Sequence, residues 1–212
     1  MSQGIKPARQ ARSEETRTKL LKAFGDLLRE KSFDDLTVSE IAAHAGLAVG
    51  TVYRRFENKD AFIPVIFELY GERLAAFHNQ YADLHSQAEG LYAAIRVNLE
   101  LNWRFILSET PLVRSAYMYG RLRPDLVGEE WDGKLRAARD AAIAYLNNYP
   151  DEINQPVERA GEILVYMVNT VLVEKALYPN EGAAAALSLC DEAFLDAMAN
   201  AVYGAVCAKP HP

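Results

Sequence analysis

The stretch from Thr37 to Lys59 restricts the folds open to this chain more than any other, because it encodes two short helices and the turn between them. Thr37 with Glu40 three residues on forms a capping box: the hydroxyl takes a first-turn amide and the carboxylate reaches back to the cap amide. A helix is therefore predicted from Val38. Ile41, Ala42 and Ala45 give it a narrow apolar strip whose small alanines admit a second helix close by. Gly46 ends it, since glycine tolerates the left-handed conformation that closes a helix. Leu47 plugs the corner, and a second helix from about Val49 to Phe56 buries Val52 and Phe56. That spacing turns Ala48, Val49, Thr51, Tyr53, Arg54 and Arg55 outward. The pattern is a helix-turn-helix.

Val49 and Tyr53 beside two arginines make an unusual solvated face, whereas a helix entering a major groove needs this mixture. Arginine forks read guanine or clamp phosphate, and small apolar groups meet thymine methyls. Asn58 is placed to cap a further helix, with Lys59 and first-turn amides where a phosphate could sit. An ordinary helical hairpin with a solvated basic face shares the same periodicity.

The spaced order Thr-Val-x-x-Ile-Ala, Ala-Gly-Leu, Gly-Thr-Val-Tyr, Phe-x-x-Lys resembles the DNA-binding domain of the tetracycline-repressor (TetR) family of bacterial transcriptional regulators, in register from about Thr16 to Phe67. The resemblance implies an all-α homodimer. An N-terminal three-helix helix-turn-helix domain (1–58, with its arm) would bind DNA, and a C-terminal helical domain (59–212) would bind an effector and dimerise. It implies a ligand-responsive repressor of a near-palindromic double-stranded operator, released when a small molecule changes the spacing of the two reading heads. Position by position it makes Thr37 and Tyr53 phosphate contacts, Ala48, Val49, Gly50 and Thr51 the groove-facing start of the recognition helix, and Lys59 a further phosphate contact. Arg54 and Arg55 sit where the family varies and are expected to contribute most to affinity. Two departures stand out. Ala48 and Val49 replace a common hydroxyl cap and lysine, and Ser32 replaces a glycine that commonly closes the first helix, which predicts a less relaxed turn there.

The formal charge of −6 over 212 residues is unfavourable for a DNA binder until it is divided. Residues 1–59 hold 11 Lys and Arg against 8 Asp and Glu, a net of +3, and the remainder carries −9. A basic end then faces phosphate while the acidic body is repelled by it. Half the residues are hydrophobic, ample for a sizeable core. The polar N-terminus lacks the apolar core of a signal peptide, and no apolar run approaches a membrane span, so a cytoplasmic protein without a membrane partner is expected. Cys190 and Cys207, read onto one helix, would lie about 25 Å apart, too far to bridge within it.

Lys6, Arg9 and Arg12 with Gly4 and Pro7 read as a loose basic arm. A first helix is predicted from Ser13 to about Lys31, with Leu20, Ala23, Phe24, Leu27 and Leu28 inward and Phe33 and Leu36 anchoring the next turn. A long helix follows from Lys59 to about Asp83. Prolines then punctuate helices near 87–108, 111–120, 125–148, 155–178 and 184–208.

Asn102 and Trp103 share an apolar strip, and Tyr117, Trp131, Tyr145, Tyr166, Met167, Thr170 and Glu174 supply aromatic and polar groups on neighbouring helices. Together they would suit a hydrophobic or planar effector, with Glu174 favouring a cation. A well-packed core in which each polar group meets a neighbour explains the same strips. Ile163–Val173 is apolar almost all round, and with Phe194, Leu195, Met198, Ala201, Val202 and Ala205 it predicts a two-helix patch for a symmetric partner. His44, His78, His85 and His211 include no metal-ligand spacing, and no nucleophile, phosphate-loop or dinucleotide motif occurs, so no catalytic residue, metal or cofactor is expected. A DNA-binding protein without an effector and a helical small-molecule enzyme are the alternative readings.

Overall fold

A computed structural model describes residues 6–127 and 129–209. In chain order its helices are α1 (Lys6–Leu27), α2 (Val38–His44), α3 (Val49–Tyr53), α4 (Ile63–Gln80), α5 (Ala82–Ser86), α6 (Gly90–Ser108), α7 (Thr110–Leu122), α8 (Pro124–Val127), α9 (Glu129–Leu146), α10 (Val157–Leu177) and α11 (Asp191–Cys207). Tighter 3-10 turns cover Phe33–Asp35, Lys59–Phe62 and Gly182–Ala186, and no strand occurs among the described residues.

Several boundaries differ from the sequence reading. The first helix begins at Lys6, not Ser13, because Pro7 falls in its first turn, where no amide hydrogen is required of it. The side chains of Lys6, Arg9 and Arg12, like Gly4 and the imidazoles of His85 and His211, lie outside the described residues. Regular helix ends at Leu27, and the amides of Glu30 and Lys31 both bond the Leu27 carbonyl in a tightened last turn. Ser32 adopts φ −64°, ordinary extended backbone, so the turn does not need glycine and carries no left-handed strain. The last helix starts at Asp191, not 184. Gly182, at φ +49°, opens a 3-10 turn through the alanine run, and the acidic pair Asp191–Glu192 marks the true helix start, where negative charge is favoured. Cys190 is that helix's cap residue, and both cysteines are free.

The chain folds into two compact units that do not divide at residue 58. One comprises residues 1–70 and 111–128, the other 71–110 and 129–212. In the first, α1 packs on α2 and α2 on α3. Leu20, Phe24, Leu28, Phe33, Leu36, Ile41 and Val52 are buried, as the spacing predicts, each large apolar side chain contributing about 1.5–3 kcal/mol. Phe62 joins them, with its ring 4.9 Å from Phe24 and stacked 3.9 Å from the half-buried Phe56.

In the second unit α10 packs against α6, α9 and α11, and α11 against α6. Leu99, Trp103, Phe105, Leu164, Val168, Leu172, Phe194 and Val202 form its core. Glu152 ties the bundle together: one carboxylate oxygen accepts the Leu91 amide at 2.9 Å and the other the Tyr203 hydroxyl at 3.0 Å. An ion pair between Arg73 and Glu109, both largely buried, joins α4 to the end of α6.

Candidate nucleic-acid interface

The helix-turn-helix hairpin is built from local signals. Thr37 accepts the Glu40 amide on its hydroxyl at 3.1 Å, while Glu40 Oε2 accepts the Thr37 amide at 2.8 Å and the hydroxyl proton at 2.9 Å. Lys31 adds its ammonium to Glu40 at 2.8 Å. Hydrogen bonding from Lys31 first, then from the Thr37 side chain and amide, lowers the Glu40 carboxyl from its ordinary 4.5 to about 2. At the other end Gly46, at φ +66°, donates to the Ala43 carbonyl at 3.1 Å, and Leu47 donates to Ala42 at 2.9 Å. These two bonds are a Schellman closure, which sets the direction in which the chain leaves α2.

Helix α3 then presents its start to solvent. Ala48 caps it through backbone alone, with no side-chain bond, as its lack of a hydroxyl predicts. Ala48, Gly50, Arg54 and Arg55 are exposed, Thr51 is half-buried, and Val49 and Tyr53 are 37% and 52% exposed. A Cβ added at Gly50 would meet nothing within 4 Å, so no neighbour in the chain requires glycine there. The arginines are held in place: Arg54 donates to the Thr51 hydroxyl at 2.9 Å and Arg55 to Ser13 on α1 at 2.9 Å. Regular helix stops at Tyr53 instead of Phe56, although the Phe56 amide still reaches the Val52 carbonyl.

Asn58 caps the Lys59–Phe62 turn by accepting the Ala61 amide at 3.1 Å. Lys59 does not extend freely: its ammonium donates to the Asp34 carbonyl at 3.0 Å and lies 4.7 Å from the centre of the Phe33 ring. Both donors of Thr37 are engaged by Glu40, so a phosphate contact there requires the hydroxyl proton to turn outward.

The effector candidates are less coherent. Tyr117 belongs to the first unit, beneath the Arg121 guanidinium at 3.7 Å, and the other eight to the second. Trp103 is buried, its ring 5.8 Å from Phe194, and the Asn102 amide donates to the Asn98 carbonyl one turn back at 2.8 Å. Tyr145 meets Tyr149 through their hydroxyls at 3.3 Å, and burial, then that neighbour, raises its phenol above the ordinary range. Trp131, Met167 and Glu174 are half-buried. Tyr166 is 73% exposed and Thr170 is exposed, so α10 keeps one open face in the single chain. No group of three metal-binding side chains occurs among the described residues, and no described helix is long and apolar enough to cross a membrane.

Sequence reasoning missed Ser13 and three groups spaced four apart along α7 and just past its end: Ser115, Tyr119 and Arg123. Their four-residue spacing is visible in the chain, but their partners Phe33, Asp34 and Asp60, in the turns on either side of the hairpin, are far away in sequence.

Residues 20–64 match the sequence profile of bacterial regulatory proteins of the tetR family. An HTH-type transcriptional regulator of Haemophilus influenzae is 30% identical over 160 residues, 75% of this chain and 71% of that protein. The chain belongs to the TetR family. Its relatives are transcriptional regulators. The fold of this TetR-family chain is also that of the transcriptional regulator FadR from Bacillus subtilis in complex with stearoyl-CoA, with TM-score 0.57 at 15% identity over 92% of this chain and all of that one. A TetR-family regulator from Marinobacter aquaeolei matches with TM-score 0.56 at 17% identity, over 93% of this chain and 98% of that one.

Proposed function

We propose that this TetR-family regulator is a cytoplasmic repressor that binds a near-palindromic operator as a homodimer and is released by a small hydrophobic or aromatic effector. The observation that carries this reading is the outward face of α3, where Val49 and Tyr53 stand exposed beside Arg54 and Arg55 with open space over Gly50. Apolar groups on a cationic helix face suit a major groove, where thymine methyls and phosphates lie side by side. Ala48, Val49, Gly50 and Thr51 face bases, while Thr37, Tyr53, Lys59 and the arginines meet phosphate.

Residues 1–58, with Lys59 at the junction, read DNA, and the rest of 59–212 receives the effector and the partner chain. Exposed Tyr166 on α10 and exposed Ala201 and Gly204 on α11 support a partner-facing surface, since small residues let a second copy approach. Thr170 goes with that face. The interior candidates Asn102, Trp103, Trp131, Tyr145, Met167 and Glu174 go with the effector, and the stearoyl-CoA in the FadR relative supports an apolar class. Tyr117 would act beside the reading head.

The test is a fluorescence-anisotropy titration on DNA flanking the protein's own gene, against a random duplex at two salt concentrations. Tighter, salt-sensitive binding to the flank with two chains per site supports the proposal. Equal, weak binding to both duplexes, while candidate ligands still bind the protein, would favour a sensor or enzyme instead.

A further inference from the structure

The ammonium of Lys59 sits in a built cradle. The Asp34 carbonyl accepts from it and the Phe33 ring faces it, as described above, and α7 holds that cradle through residues four apart on one helical face. Ser115 is the one polar side chain buried below 2% among the described residues. Its hydroxyl accepts the Phe33 amide at 2.9 Å and donates to the Pro111 carbonyl at 2.7 Å. One turn on, the Tyr119 ring meets Phe33 edge-on at 5.0 Å and its hydroxyl donates to Asp34 Oδ1 at 2.6 Å. Another turn on, Arg123 pairs with Asp60, the residue next to Lys59, and with Asp125 at 3.0 Å. Lys59 is thus held from two sides: its cradle by Ser115 and Tyr119, and the neighbouring Asp60 carboxylate by Arg123. Lysine is a flexible point charge with high rotamer entropy, so an ammonium already fixed in place meets a phosphate at lower entropic cost than a free one.

We propose that Tyr119 of α7 and Arg123, just past its end, are positioning residues for DNA binding, which set the Lys59 ammonium where a backbone phosphate meets it. Neither needs to touch DNA: Arg123 has its charge opposed by two carboxylates, and the Tyr119 hydroxyl is committed to Asp34. The inference rests on the DNA reading above.

Because a phosphate contact is independent of sequence, the experiment needs no operator. A fluorescein-labelled random duplex is titrated over a salt series with wild type, Lys59→Ala, Tyr119→Phe, Arg123→Ala, the latter two each combined with Lys59→Ala, and Arg55→Ala. Circular dichroism melts of every variant at the assay temperature confirm folding, and Tyr119→Phe keeps the ring packing on Phe33. Tyr119→Phe and Arg123→Ala are each expected to weaken binding about three- to tenfold and to flatten the plot of log affinity against log salt by up to the ~0.9 of one lost phosphate contact. In the Lys59→Ala background both are expected to change nothing. Equal fold losses in both backgrounds, or no loss beside wild type, would overturn the proposal while a weakened Arg55→Ala leaves the DNA reading standing. Absence of salt-dependent duplex binding by wild type would overturn both.

Discussion

At the scale of single residues, Gly50 separates folding from function. Glycine inside a helix costs about 1 kcal/mol relative to alanine, and the open space around it offers no packing reason for that cost. The proposed close approach of this surface to the groove supplies one. Gly50→Ala is therefore expected to melt at or above the wild-type temperature and yet bind DNA several-fold more weakly; equal or tighter binding in anisotropy would remove Gly50 from the interface. Glu40 makes a different kind of prediction. Its folded carboxyl titrates near 2 against an ordinary 4.5, so between those values the unfolded chain binds the extra proton and stability rises with pH. The stabilisation is present above about pH 4.5 and lost as pH falls towards 2. Urea midpoints of wild type and Glu40→Gln should differ most near neutrality and converge in acid; a constant difference would argue that Glu40 acts by packing instead of charge.

Among the elements, legibility follows the range of the interactions. The hairpin could be read from the chain because its determinants are local: Thr37 and Glu40 are one turn apart, and Gly46 closes the helix it follows. The buried faces of α1 and α2 were equally readable from periodicity. Boundaries set by competition were not. The alanine run at 183–186 favours helix by composition, but Gly182 and the acidic pair at 191–192 place the start of α11 beyond it. The partners of Ser115, Tyr119 and Arg123 depend on how distant helices meet, which spacing within one helix cannot report. The same holds for the effector candidates, whose relations span several helices. Close helix contact is another such property. A Cβ at Gly161 on α10 would lie 2.5 Å from Ile143 Cγ1 and 3.3 Å from the Ile143 backbone nitrogen, so α9 and α10 touch almost at backbone distance. Gly161→Ala should cost about 1–3 kcal/mol in chemical denaturation, as overpacking does. Ile143→Ala should relieve part of that cost in the double variant; strictly additive losses would show that the crossing does not depend on this contact.

For the whole molecule, the division of charge matters more than its total. A net of +3 in residues 1–59 against −9 beyond them leaves a basic reading end on an acidic chain, which favours phosphate at one end and repels it elsewhere. Charge of this kind accounts for affinity to any duplex. Base reading is proposed for α3 itself, and the measurement that reaches it most directly is selection of bound sites from a randomised duplex pool by wild type and by Val49→Ala. Wild type is expected to select a near-palindromic consensus, and Val49→Ala to show a changed preference at one matched position in each half-site with the rest intact. No enriched consensus for wild type, or the same consensus with both proteins, would contradict the claim that the start of α3 reads bases in the groove.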